Sequence, residues 1–165
     1  MTTSYETKVI AEPGKQVILI EREFDAPREL VFEAFTDAEL FKEWMGPRQL
    51  AMTLEAFEAR DGGNWRYVTR DDAGNEYGFR GVFHEVTAPE RIIQTFEFEG
   101  MPERGHVTLE TATFEALPGD RTLIRMESVF RNVTDRDGML QSGMEGGLNE
   151  SFARLVELLA KLKNR

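Results

Sequence analysis

GMLQSGMEGGLNESFARLVELLAKLK (Gly138–Lys163) is the stretch that decides the fold. Its apolar residues Leu140, Met144, Leu148, Phe152, Leu155, Leu159 and Leu162 step by four or by three, which traces one face of a helix. The spacing predicts one helix of about 24 residues, from near Gly138 to near Lys163. Upstream the period is different. From Leu50, apolar residues alternate with polar ones: Leu50/Met52/Leu54, Trp65/Tyr67, Tyr77/Phe79/Gly81/Phe83, Ile92/Gln94/Phe96/Phe98, Val107/Leu109/Thr111 and the segment Thr122–Phe130. Turn residues separate these runs: Asp61-Gly62-Gly63, Asp71–Asn75, Ala88-Pro89, the loop Glu99–Gly105, and Pro118-Gly119-Asp120. Six strands at hairpin distance make an antiparallel meander.

Val17–Phe24 reads as an earlier strand. Asp25-Ala26-Pro27 reads as a helix start, with Asp25 as cap and the proline in the first turn. Leu30, Val31, Ala34 and Phe35 then recur at helical spacing. Thr36 and Glu39 read as the capping box of a second short helix, which carries Leu40, Phe41 and Trp44 and stops at Gly46-Pro47. Residues 1–16 are polar and read as a loose arm or an edge strand, with a single domain over 17–165. The predicted class is α+β in the order β-α-α-β6-α: a curved seven-stranded antiparallel sheet wrapped around a long C-terminal helix. That helix is the only element long enough to cover an apolar sheet face.

Composition narrows the function. In 165 residues, 20 lysines and arginines stand against 30 aspartates and glutamates, a net charge of −10. Such a field repels phosphate backbones and anionic lipid, so nucleic acid is not an expected partner. Cysteine is absent, which removes disulfides, thiol nucleophiles and thiolate metal sites. The longest apolar run, Val17–Ile20, is far below the roughly 20 residues of a membrane span, so no membrane insertion is expected. Met1–Ser4 lacks the basic and then apolar pattern of a secretion signal, and a cytoplasmic protein is expected.

The candidate site is aromatic. Trp65, Tyr67, Tyr77, Phe79, Phe83, Phe96 and Phe98 alternate on consecutive strands and can share one face, as core or as the wall of a cavity. Gly138, Gly143, Gly146 and Gly147 interrupt the first half of the helix opposite, a poor choice for a helix that only fills a core. Met144, with Met139, suits an adaptable pocket, and Leu148, Phe152 and Trp44 complete its expected lining. Tyr67, Tyr77, Gln94 and His106 are the candidate polar contacts. His84 and His106 lack metal-ligand spacing, so no metal or other cofactor is expected. The pairs Glu21/Glu23, Asp71/Asp72 and Glu97/Glu99 read as solvated edges, and no serine sits in a nucleophile elbow, so no catalytic residue is assigned.

Three stretches carry a family resemblance. REFDAPRELVFEAFTDAELFKEWMGP (Arg22–Pro47) resembles the opening of the family named after the activator of the 90-kDa heat-shock-protein ATPase. RDGGNWRYVTRDDAGNEYGFRGVFHEVTAPERIIQTFEF (Arg60–Phe98) resembles its middle, and GMEGGLNESFARLVELLAKL (Gly143–Leu162) its last helix. That family belongs to the SRPBCC superfamily, with START domains, polyketide cyclases and birch-pollen-allergen-like proteins. The resemblance implies a helix-grip, START-like fold with a deep apolar cavity between sheet and long helix. It also brings the co-chaperone activity and stress response of the family's eukaryotic members. Leu148 stands where the family often has tryptophan, which would leave more room under the helix.

Three readings follow. The first is binding of a small hydrophobic or aromatic molecule in that cavity. The second is a cyclase- or hydrolase-type enzyme in the same cavity, which requires an inward acid or base. The third is a co-chaperone-like interaction module, with a chaperone or a second copy of the chain as partner.

Overall fold

The computed structural model describes residues 5–165. Lys8–Ile10 forms a short strand, β1, antiparallel to Val17–Phe24, β2. The polar arm thus contributes an edge strand, and its first four residues lie outside the described residues. Helix α1 (Arg28–Thr36) begins after Pro27, whose fixed φ sets the first turn. Asp25 does not cap it as expected; it is exposed and faces Lys163 at 3.7 Å. The second cap is one residue later than expected. Asp37 caps α2 (Ala38–Trp44) by accepting from Leu40 N at 3.1 Å. Thr36 Oγ1 instead donates back to Phe32 O at 2.9 Å, the usual resort of a threonine inside a last turn.

The meander comprises β3 (Ala51–Phe57), β4 (Asn64–Arg70), β5 (Glu76–Thr87), β6 (Arg91–Phe98), β7 (Thr108–Leu117) and β8 (Arg121–Val129). The strand order is β1-β2-β8-β7-β6-β5-β4-β3, with every neighbouring pair antiparallel. The curved sheet therefore has eight strands among the described residues, one more than expected. The fold is the helix-grip fold. The expected single helix is two: α3 (Val133–Gln141) and α4 (Met144–Lys163). The break falls at Gly143, whose φ of 84° is left-handed and open chiefly to glycine. Among the described residues, no helix is long and apolar enough to cross a membrane.

The core lies between the helices and one face of the sheet. Phe24 of β2 meets Phe152 of α4 edge-on at 5.2 Å, and Phe32 and Phe35 of α1 meet Phe114 of β7 at 5.0 and 5.2 Å. The middle of α4 is clamped to the end of α2. Ser151 Oγ accepts from Gly46 N at 3.0 Å, and Arg154 donates to the carbonyls of Glu43 and Gly46 at 2.7 Å each. The outer face carries ion pairs instead. Glu21 and Glu23 meet Arg125 and Arg121, Glu97 meets Arg80 and Arg104, and Glu99 meets Arg66. These acids therefore each meet an arginine.

Candidate functional site: an aromatic trough with a buried carboxyl

Strand register places the aromatic residues. Tyr67 of β4 pairs with Phe79 of β5, Phe79 pairs with Phe98 of β6, and Trp65 pairs with Gly81. Alternation then turns Trp65, Tyr67, Phe79, Phe96 and Phe98 to the helix side. Their rings are contiguous: Trp65 to Tyr67 at 5.6 Å, Tyr67 to Phe79 at 5.1 Å, and Phe79 to Phe96 and Phe98 at 5.7 and 5.1 Å. Phe41 of α2 closes one end, 6.1 Å from Tyr67.

Polar groups interrupt this surface. Gln94 of β6 and Glu110 of β7 are direct cross-strand partners, and Gln94 Nε2 donates to Glu110 Oε1 at 3.1 Å. Burial pushes the Glu110 carboxyl up to about 7, and the Gln94 bond opposes that shift only in part. Burial also raises the Tyr67 phenol, with a smaller push from the charge of Glu110. Two more polar atoms, Trp65 Nε1 and Thr69 Oγ1, are buried without a hydrogen-bond partner.

Phe79, Gln94, Phe96, Phe98 and Glu110 remain half-buried although they face the helices, as do Met144 and Leu148 on α4. Gly147 precedes the buried Ser151 by one helical turn, yet a Cβ built on it meets nothing within 4 Å. The middle of α4 is thus clamped to the end of α2, while nothing packs against the Cα of Gly147 one turn earlier. Gly147→Ala is expected to stabilise the protein by about 1 kcal/mol through helix propensity alone. That is about 2–4 °C in thermal midpoint, and a fall would show that the space is not open.

Other predicted residues lie elsewhere. Trp44, Phe83 and Phe152 are at most 2% exposed and belong to the core, with Trp44 Nε1 donating to Ala34 O at 2.8 Å. The Tyr77 hydroxyl donates to Asp71 Oδ2 at 3.2 Å, in the β4–β5 turn. His106 Nδ1 lies 2.9 Å from Asp135 Oδ2, fastening the loop before β7 to α3, and it joins no polar group of the trough. Sequence reasoning missed Glu110 and Thr69. Stepping back by two from the inward Phe114 gives Ala112, Glu110 and Thr108, a signal present in the chain. A separate cleft of about 490 Å³ opens beside Phe152, between Tyr5, Arg22 and Asn149. There the Arg22 guanidinium lies 4.7 Å from the centre of the Phe24 ring, and desolvation lowers its pKa.

A curved antiparallel sheet gripping a long C-terminal helix defines a START-like domain. Residues 25–160 match the family described as Activator of Hsp90 ATPase homolog 1-like protein, and the chain belongs to that family. A crystal structure of a Rhodobacter sphaeroides protein is similar at 26% identity and a TM-score of 0.83, covering 95% of this chain and 99% of that one. A solution structure from Staphylococcus epidermidis is similar at 27% identity and a TM-score of 0.76, covering 91% and 93%. A Mycobacterium smegmatis protein shares the fold at 19% identity and a TM-score of 0.83, covering 94% and 97%. No curated protein matches the chain.

Proposed function

We propose that the chain binds a small hydrophobic or aromatic molecule in the trough between β4–β7 and the first half of α4. The observation that carries this reading is the state of Trp65 and Thr69. Both are less than 5% exposed, and each has a polar atom with no partner, on the same side as half-open aromatic rings. Buried polar groups are nearly always satisfied, so two unpartnered ones on the face that carries the half-buried aromatic rings fit a site completed by a ligand. Burial of the ligand's apolar surface supplies roughly 25 cal/mol per Å². Gln94, Glu110 and Tyr67 then set its orientation.

The test is a thermal-shift screen against fatty acids, sterols, flavonoids, aromatic polyketides and aromatic amines. A ligand at about 100 times its dissociation constant adds roughly 2.7 kcal/mol. In a domain of this size that is about 5–10 °C in midpoint. A hit abolished by Gly147→Trp, which fills the space under α4, supports the reading. No shift across the panel, together with recovery of a stoichiometric chaperone or a second copy of the chain at physiological salt, would replace it with the interaction reading. One observation favours a catalytic use of the same trough: a carboxyl held near neutrality suits general acid–base chemistry. Turnover of a bound ligand, lost in Glu110→Gln while binding persists, would establish that use.

A further inference from the structure

Among the described residues, Glu110 is a carboxyl without a counter-charge. Gln94, a neutral amide, is its only hydrogen-bond partner among the described residues. Neither a lysine nor an arginine contributes to its environment; burial and the Gln94 bond account for it. Ser128 of β8 is its neighbour on the other strand, and Tyr67 is the other titratable group within its field. The chain has many arginines, yet they are spent elsewhere. Arg66, Arg80, Arg121 and Arg125 pair with acids on the outer face, and Arg154 is held by carbonyls at the clamp. A buried carboxylate is tolerated when a cation meets it or when it is neutralised. Among the described residues none supplies a cation, so the ligand can.

We propose that the trough takes an organic ammonium ion, with its nitrogen paired to the Glu110 carboxylate and its apolar body along Trp65, Tyr67, Phe79 and Phe96. This rests on the ligand-binding reading above and names the chemical class. Three features favour a cation over other ligands. An anion would meet both Glu110 and a net charge of −10, whereas a cation is steered inward by that same field. Ring faces attract ammonium groups, most strongly where water is excluded. A neutral hydroxyl would leave the carboxylate charge uncompensated.

Three naphthalene probes of one shape separate the possibilities: 1-naphthylmethylamine, 1-naphthylmethanol and 1-naphthoate. Each is titrated into the purified full chain by calorimetry at pH 8 and about 0.1 M salt. There Glu110 is largely ionised and a primary ammonium keeps its proton. The amine is expected to bind about 10- to 100-fold tighter than the alcohol, with the naphthoate weakest. In Glu110→Gln the amine should lose its roughly 10- to 100-fold advantage, so that amine and alcohol bind alike. Equal binding of amine and alcohol, or an amine preference that survives in Glu110→Gln, overturns the ammonium inference and leaves the ligand-binding reading standing. If none of the probes binds, while Glu110→Gln and wild type are both folded by circular dichroism, the ammonium inference falls, and the panel screen alone decides the ligand-binding reading.

Discussion

Glu110→Gln is expected to leave stability at pH 4 unchanged and to raise it at pH 8 by on the order of 2–3 kcal/mol. The sign follows from the direction of the shift. Burial raises the folded-state pKa of Glu110 to about 7, above the ordinary carboxylate value that it regains on unfolding. Below that ordinary value both states hold the proton, and glutamine mimics the neutral acid. Between there and about pH 7 the folded state binds the extra proton, so wild-type stability falls as pH rises. Above pH 7 the folded protein carries a buried charge that the amide lacks. The midpoint difference at pH 8 should be roughly 5–10 °C. The variant must be compared with wild type at each pH, because other carboxyls act in the opposite sense. Glu99, held low chiefly by its hydrogen bond to Arg66, and Glu85, held low by Arg91, lose their contributions as pH falls. These are common to both proteins and cancel. Two unfolding curves that stay parallel from pH 4 to pH 8 would show that Glu110 is not buried as described. A bound ammonium ion acts on the same quantity, offsetting the buried charge in wild type and gaining nothing of the kind in the variant.

The legible parts of the fold were those where hydrophobic period and turn chemistry agreed. From β4 to β6 the aromatic residues alternate without interruption and glycine-rich turns separate the runs, so the helix-facing set Trp65, Tyr67, Phe79, Phe96 and Phe98 could be read directly. On β7 the same rule misleads. Val107 and Leu109 look like the inward pair, yet Leu109 is 47% exposed on the outer face. Thr108 and Glu110 face the helices instead, so apolarity pointed away from the most distinctive group of the site. A one-residue change of register exchanges the two faces of a strand, which is why a polar inward position is invisible to pattern alone. In the last helix the apolar stripe runs through Gly143 unbroken, and the stripe conceals the left-handed residue that divides α3 from α4. Edge strand β1 is only Lys8–Ile10 and depends on pairing with β2, so its own three residues carry almost no signal. Trp44, Phe83 and Phe152 are enclosed more fully than Trp65 and Tyr67 of the same cluster, a difference made by tertiary packing.

Gly81→Ala is expected to cost about 3 kcal/mol or more, the opposite sign to Gly147→Ala. A Cβ on residue 81 would lie 1.9 Å from the Thr95 carbonyl oxygen and 2.6 Å from Trp65 Nε1. The first contact is with backbone of the neighbouring strand, so no side-chain rotation relieves it; β5 and β6 must part. The second is with the indole that lies against the sheet at this point, so the ring must lift. Lifting Trp65 disturbs its packing with Tyr67 and Phe96, at 5.6 and 6.0 Å, and therefore the floor of the trough itself. The thermal midpoint should fall by about 6–12 °C, and the near-ultraviolet signal of tryptophan should change in the remaining folded protein. Trp44 is buried in the core at 1% exposure and held by Ala34 O, which makes Trp65 the reporter of the two. A loss below about 1 kcal/mol with an unchanged tryptophan spectrum would mean that β5 and β6 do not approach as closely as described. Paired with Gly147→Ala, the variant separates the two walls of the site. The same added methyl should destabilise the sheet wall, where backbone and indole already touch, and stabilise the helix wall, where nothing does.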